Sequence, residues 1–247
     1  MEDGDTLFNE IIFYGLLAMQ NPWVNLPLSA PFILDCDRQI VDQFNIEATK
    51  EYRFNLQTPP LPFIGDPMTA KVILLQLNPG SDFSPGFIEP NEILEHQIFP
   101  TLDQDNRNNI IHRYGEFPFY YLNPAHRLIS GFRYWSRIFS PMISDIQDYQ
   151  RIANNVSCLE YLPYHSVQAQ ALNSILESQK YGFDLLTAVL CRKATVIVMR
   201  GEDRWLKSVP DLKDFKYLTP RSPRNPIISE RNFPETFGEI RSLILQN

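Results

Sequence analysis

The feature that most constrains the fold is a mainly apolar run at residues 71–77, unbroken from 72 to 75, which stops at Asn78-Pro79-Gly80. Short apolar runs that end at a turn signal are typical of central strands buried on both faces of a sheet. Burying both faces of a strand requires other elements, usually helices, on each side of the sheet. The run therefore predicts an α/β fold with its first core strand at this position.

Apolar runs and helical periodicity alternate along the rest of the chain, which is typical of a parallel sheet covered on both faces. We expect one domain over residues 1–247: a three-layer α/β/α sandwich with a central four-stranded, mostly parallel sheet in core 66–247, and residues 1–65 as an N-terminal embellishment. Strands are predicted at 71–77, 156–162, 195–199 and 215–218. Helices are predicted at 7–19, 91–101, 125–139, 166–177 (capped by Ser166), 183–192 and 235–245 (opened by Pro234).

Cysteine use and the chain start predict the cellular setting. The three cysteines, Cys36, Cys158 and Cys191, are widely spaced and form no CxxC pair, so neither a disulfide framework nor a zinc site is expected. The acidic start does not fit a secretory signal, and no apolar stretch is long enough to span a bilayer. We expect a monomeric intracellular protein, cytoplasmic or nucleoid-associated, without membrane contact, metal or cofactor.

The formal net charge of −7 argues against nucleic acid as a partner, because phosphate contacts need Lys and Arg. The distribution is uneven, however. Residues 191–233 carry ten basic and five acidic side chains, a balance of 10 − 5 = +5, which leaves −7 − 5 = −12 for the remainder. This C-terminal segment could form a local basic face for DNA. Clustering by chance on a solvated surface explains the same numbers.

Asn78, Pro79 and Gly80 follow directly on the first predicted strand. In parallel α/β sheets, ligands bind beyond the carboxyl ends of the strands. An Asn there can hold a water molecule through its side-chain carbonyl, while Pro79 stiffens the turn and Gly80 leaves space above it. An ordinary turn is the simpler interpretation of the same three residues.

In this position, Asn-Pro-Gly resembles the first active-site motif of the uracil-DNA glycosylase superfamily, in particular its mismatch-specific branch. The resemblance covers roughly residues 66–247 in element order, with only short matching stretches. It implies that Asn78 positions the attacking water and that Gly80 opens the pocket to bases larger than uracil. It also implies that an aromatic ring shortly after the motif stacks on the extruded base, which makes Phe83 and Phe87 candidates; Asp82, in the same loop, is expected at the base as well.

The second predicted strand ends with further candidates. In the family this strand often supplies a carboxamide that reads uracil, and the equivalent here is Glu160, followed by Tyr161 and His165. An ionised Glu only accepts hydrogen bonds, so it would suit the exocyclic amine of cytosine and repel O4 of uracil. We expect Glu160 and Tyr161 at the base and His165 as a proton donor. Pairing of Glu160 with an Arg, and a surface or core role for His165, are the alternatives.

The loop after the fourth predicted strand resembles the family's second motif in place and in its Pro and Ser content. The usual His or Asn is absent, and Thr219 is nearest to it. The resemblance implies that this loop contacts DNA; a structural loop with two exposed arginines is the alternative. The candidate DNA-binding residues are Thr219, Arg221, Ser222, Arg224 and Asn225.

Together these residues predict a metal-independent, monofunctional DNA glycosylase that acts on duplex or single-stranded DNA. Its substrate would be a flipped, modified or mismatched pyrimidine, either uracil or a cytosine derivative. Two rivals remain open: a glycosylase-fold module, weak or inactive in catalysis, that binds nucleic acid or a protein, and a nucleoside hydrolase using the same sheet edge.

Overall fold

In a computed structural model of the chain, residues 20–80 and 99–246 are described, and they form an α/β structure. Within these ranges there are four strands and seven α-helices. The strands are β1 (Phe63–Ile64), β2 (Val72–Gln76), β3 (Val156–Glu160) and β4 (Thr195–Val198). The helices are α1 (Arg38–Glu47), α2 (Phe99–Ile110), α3 (Ser130–Ile138), α4 (Ile146–Asn155), α5 (Glu177–Cys191), α6 (Glu202–Ser208) and α7 (Phe237–Leu245).

The strands form one mixed sheet in the order β1-β3-β2-β4. β2 lies inside the sheet and is parallel to both β3 and β4, whereas β1 is antiparallel to β3. The three runs predicted at 71–77, 156–162 and 195–199 thus contain the three parallel strands. Because these strands share one direction, the loops after Gln76, Glu160 and Val198 leave the sheet at the same edge.

The prediction of a fourth strand at 215–218 is wrong. Only Leu218 bridges to the sheet, in parallel with Ile197, and the fourth strand is instead β1. Leu218 N–H donates to the Val196 carbonyl, and its own carbonyl accepts from Val198 N–H. The next donor along this ladder would be residue 220, and Pro220 has no N–H. The pairing therefore stops after one residue.

Side chains alternate between the two faces of the sheet and enter two separate hydrophobic clusters. Ile73 and Leu75 contact the cluster that includes α5 and α6, whereas Val72 and Leu74 contact the cluster that includes α3, α4 and α7. All four side chains are fully buried. Helices therefore cover both faces, as the apolar run of β2 predicts. Trp23, Val41 and Phe54 join the first cluster, so residues within 20–65 contribute directly to the core, as β1 does to the sheet.

Several helix boundaries differ from those predicted. Residues 166–176 are not helical, and α5 begins at Glu177. The hydroxyl of Ser166 donates to the Gln168 carbonyl and accepts from Asn78, so it caps no helix. The N-terminal turn of α5 is held from elsewhere: the side chain of Gln179 accepts from Leu176 N–H, and Asp37 accepts from Ser178 N–H.

The remaining helix predictions need smaller adjustments. The segment 125–139 divides into a 3-10 turn at Pro124–His126 and helix α3, and the terminal helix begins at Phe237 rather than at Pro234. The helix predicted at 7–19 and most of that at 91–101 lie outside the described residues; the described end of the latter belongs to α2. No helix in the described ranges is long and apolar enough to cross a membrane.

Candidate functional site

A cavity of about 540 Å³ opens where β2, β3 and β4 end, on the side of the sheet covered by α3. Its walls come from the carboxyl ends of the strands, the loop at Asn78, and the first turns of α3. The described residues that line it are Ile64, Gln76, Asn78, Pro79, Gly80, Tyr121, Ser130, Gly131, Arg133, Tyr134, Trp135, Arg137, Glu160, Val167 and Arg200. The edge of the sheet that the Asn-Pro-Gly turn predicted as a ligand site therefore does carry a cavity.

Asn78 has its side-chain amide held in one orientation. Its Nδ2 donates to the carbonyl oxygen of Ser166 at 2.9 Å and to the Ser166 hydroxyl at 3.1 Å. Both amide hydrogens are thereby used, and no described residue donates to Oδ1. The half-buried Asn78 thus presents a fixed acceptor at a cavity wall.

His165 braces the loop that carries Asn78. Its Nδ1 lies 2.9 Å from the carbonyl oxygen of Gly80, and only 3% of the residue is exposed. His165 is absent from the described lining of the cavity, and this contact connects it to the loop instead. Gly80 has φ +71°, a conformation that favours glycine, and no described atom lies within 4 Å of where a Cβ would stand. Glycine is therefore favoured at position 80 by the backbone conformation and not by lack of space for a side chain.

Glu160, the last residue of β3, is a buried acid without a full set of partners. It is 6% exposed, its Oε1 lies 3.8 Å from the Cys158 thiol, and its Oε2 has no hydrogen-bond partner among the described residues. Burial raises the pKa of Glu160 well above its usual value, against opposing effects of the Cys158 contact and of Arg200. The environment thus favours the protonated carboxyl, which donates one hydrogen bond and accepts others. The expectation of an ionised, acceptor-only Glu does not fit this burial.

Gln76 ends β2 directly beside Glu160, its register partner across the parallel pair. Gln76 Nε2 lies 3.5 Å from the Tyr134 hydroxyl, a contact at the outer limit for a hydrogen bond. Burial of its hydroxyl, followed by the nearby Glu160, raises the pKa of Tyr134 to about 12, so its phenol is a neutral donor and acceptor. Three polar groups without strong mutual bonds therefore meet at this side of the cavity.

Arginines supply the charge of the cavity. Arg133 and Arg137 come from α3, Arg200 follows β4, and all three are exposed. Glu160 is the one acidic residue of the described lining, and its burial favours the neutral form. The described part of the lining is therefore positively charged, although the whole chain carries −7.

Other residues predicted for the site lie elsewhere. Tyr161 faces the opposite side of the sheet from Glu160, because side chains alternate along a strand. There it contacts Trp205 and Phe183, and its hydroxyl lies 2.9 Å from that of Ser208. Tyr161 is thus a core residue rather than a base contact. Asp82, Phe83 and Phe87 lie outside the described residues.

The loop predicted to bind DNA leaves the sheet at the same edge as the Asn78 loop, because Leu218 is parallel to Ile197. None of its candidate residues is in the described lining of the cavity. The loop is closed by its own contacts: Arg221 N–H donates to the Asn232 carbonyl, and Asn232 Nδ2 donates to the Asn225 carbonyl. The candidates in question are Thr219, Arg221, Ser222, Arg224 and Asn225.

Sequence reasoning missed most of the cavity lining. Arg133, Tyr134 and Arg137 lie within the helix predicted at 125–139, but helical periodicity does not show which side of a helix lines a cavity. In this helix Trp135 is 4% exposed, whereas Tyr134 is 38% exposed. Gln76 and Arg200 each directly follow a buried apolar run, a position that signals the carboxyl edge of a parallel sheet. The missed residues include Gln76, Tyr121, Arg133, Tyr134, Arg137 and Arg200.

The described chain contains no cluster of three or more His, Cys, Asp or Glu side chains that could hold a metal ion. In comparisons with known proteins, no protein family, curated protein or solved structure matches the chain.

Proposed function

We propose that this chain is a DNA glycosylase that takes a flipped pyrimidine into the cavity and hydrolyses its N-glycosidic bond with a water held by Asn78. The observation that carries the proposal is the fixed amide: Ser166 occupies both hydrogens of Asn78, which leaves Oδ1 as an acceptor on the cavity wall. A water bound at that acceptor would already be oriented, so little further entropy would be lost on reaching the transition state.

The chemistry suits a site with few charged groups. Breaking the N-glycosidic bond develops positive charge on the sugar and negative charge on the departing base. Asn78 is a weak base, so its contribution is to orient the water, while the protein stabilises the developing charges. Arg200 and the Tyr134 hydroxyl, both in the cavity lining, are candidates to stabilise negative charge on the base.

Glu160 and Gln76 would read the base. A protonated Glu160 presents one hydrogen-bond donor and one acceptor side by side, as a carboxamide does. Its Oε2 lacks a partner in the described structure. Such a group can face N3–H and O4 of uracil, or N3 and the N4 amine of cytosine. A neutral carboxyl does not repel O4 of uracil as a carboxylate would. The proposed substrates are therefore uracil and cytosine derivatives.

The test is base release from oligonucleotides that carry uracil, mismatched thymine or modified cytosines. Single-stranded and duplex forms are incubated with the protein, and abasic sites are then cleaved with alkali. We expect Asn78→Ala to slow release about a hundredfold, because the water loses its orientation. Asn154→Ala, at an exposed Asn of α4, is the matched control and should release base at the wild-type rate.

The alternative is a module that binds DNA without cutting the glycosidic bond. The lack of any residue from 219–225 in the described cavity lining favours it, since the family's second catalytic contact comes from that loop. Binding of every oligonucleotide without release of any base would support this alternative and overturn the proposed catalysis.

A further inference from the structure

Helix α3 lies in the middle of a segment without acidic residues. Between Glu116 and Asp145 the chain has no Asp or Glu, although acidic residues outnumber basic ones in the chain as a whole, 29 to 22. The segment carries Arg127, Arg133 and Arg137 instead. All three side chains are exposed, so their charges face solvent rather than the core.

The three arginines of the cavity lining form what we call the arginine rim: Arg133, Arg137 and Arg200. Arg133 and Arg137 are four residues apart in α3 and therefore lie on the same helix face, with their Cβ atoms about 5–6 Å apart. Arg200 approaches from the end of β4. Two independent elements thus bring guanidinium groups to one opening.

The rim fits a repeating anion better than a single small one. One phosphate or carboxylate is satisfied by one bidentate arginine, whereas arginines spread along a helix match successive phosphates of a strand. Tyr134 lies between Arg133 and Arg137 in sequence and is 38% exposed. An exposed aromatic ring among arginines is the arrangement on which nucleic acid bases stack.

We propose that the arginine rim binds the sugar-phosphate backbone of a DNA strand on either side of the base that enters the cavity. The choice of DNA rests on the proposed function, while the attraction for a polyanion rests on the charges alone. Helix α3, rather than residues 219–225, would then make the main contact with the DNA backbone. An acidic chain can bind an acidic polymer in this way because the local charge at the opening opposes the net charge.

Binding to a fluorescein-labelled DNA oligonucleotide, followed by anisotropy across a NaCl series, tests the rim. We expect Arg133→Gln and Arg137→Gln each to weaken binding about tenfold at low salt, since each removes a charge-assisted hydrogen bond. Each should also reduce the slope of log K against log[NaCl] by about one. Arg137→Lys keeps the charge and should retain most of the affinity and the slope.

Arg241→Gln, at an exposed arginine of α7 outside the cavity, removes the same charge and is the matched control. Unchanged affinity and slope in both rim variants would overturn the inference, as would equal losses in Arg241→Gln. Tighter binding of the corresponding RNA oligonucleotide would overturn the assignment to DNA. If the rim variants lose binding while no base is released by the wild type, the rim stands and the proposed catalysis fails.

Discussion

Gln76 and Glu160 are register partners at the ends of two neighbouring parallel strands, and both side chains line the same cavity. Partners in a parallel pair project to the same face of the sheet, so the amide of one and the carboxyl of the other lie side by side. Neither has a strong partner in the described part of the chain: Gln76 Nε2 makes one contact of 3.5 Å, and Glu160 Oε2 makes none. Buried polar groups without good hydrogen bonds lower the stability of the fold. Such groups are typical of binding sites.

The burial of Glu160 predicts a pH dependence of folding. Because its pKa is raised in the folded state, its contribution to stability is fully present below about pH 4.5 and is lost as the pH rises through the folded pKa. The Glu160→Gln variant cannot ionise and should lack this loss. We expect urea denaturation to show the variant gaining stability relative to wild type as the pH increases from 5 to 9.

Glu235→Gln, at an exposed carboxylate, is the matched control and should follow the wild-type pH profile. If the free energies of unfolding of wild type and Glu160→Gln differ by a constant amount across this range, ionisation of Glu160 does not destabilise the fold.

His112 predicts a second pH effect of opposite sign. Its ring stacks on Phe63, and its two nitrogens lie 2.6 Å from the hydroxyls of Tyr114 and Tyr181. Burial lowers the pKa of His112, so its contribution to stability is present above about pH 6.5 and is lost as the pH falls through the folded pKa.

His112→Asn should remove this acid-dependent loss and lower the free energy of unfolding at pH 8 by about 2 kcal/mol, for two lost hydrogen bonds. Asn tolerates the positive φ of 59° at this position, so backbone strain adds little. Thermal denaturation at pH 5, 6 and 8 measures both effects. A variant with the wild-type decline between pH 6 and 5 would contradict the assignment to His112.

Gly201 combines a positive φ with a close neighbour. Its φ is +73°, and a Cβ there would collide with the side chain of Leu77. We expect Gly201→Ala to lower the free energy of unfolding by about 2–4 kcal/mol, from left-handed strain plus overpacking. Gly182→Ala is the control: it is helical, no described atom lies within 4 Å of a Cβ, and it should gain about 0.5–1 kcal/mol. Equal effects of the two substitutions in urea denaturation would refute this explanation.

Ser166 predicts a graded effect on catalysis. Ser166→Ala removes the hydroxyl that accepts from Asn78 but keeps the carbonyl bond at 2.9 Å. One lost hydrogen bond of about 1 kcal/mol should slow base release about fivefold, far less than Asn78→Ala does. Single-turnover rates on the best oligonucleotide substrate give the comparison. A loss in Ser166→Ala as large as that in Asn78→Ala would contradict a role limited to orienting the amide.

Strands proved predictable where burial on both faces produces a mainly apolar run, as in Val72–Gln76 and Thr195–Val198. The error at residues 215–218 arose because the apolar side chains of so short a segment do not show whether its backbone pairs with a sheet. Pro220 blocks the ladder there, and β1, only two residues long, carries no pattern that a sequence can display.

For the site, the position of Asn78 directly after an apolar strand predicted a place at the sheet edge, whereas Glu160 was expected at the base from the resemblance to the glycosylase family. The partners of these residues depend on contacts between distant segments. Asn78 meets Ser166 and His165 meets Gly80 across more than eighty residues of chain, and no local pattern encodes such a pairing. The same holds for the arginines: local composition pointed to residues 191–233, whereas packing brought α3 to the opening.

The sequence by itself determined the α/β class, the three parallel strands and the place of Asn78 at the carboxyl edge, because burial and turn chemistry are local properties of the chain. Only the tertiary structure decided that Glu160 is buried with Oε2 unpaired among the described residues, that Tyr161 belongs to the core, and that Arg133 and Arg137 line the cavity. Those outcomes depend on which faces of distant elements meet, and that depends on the packing of the whole chain.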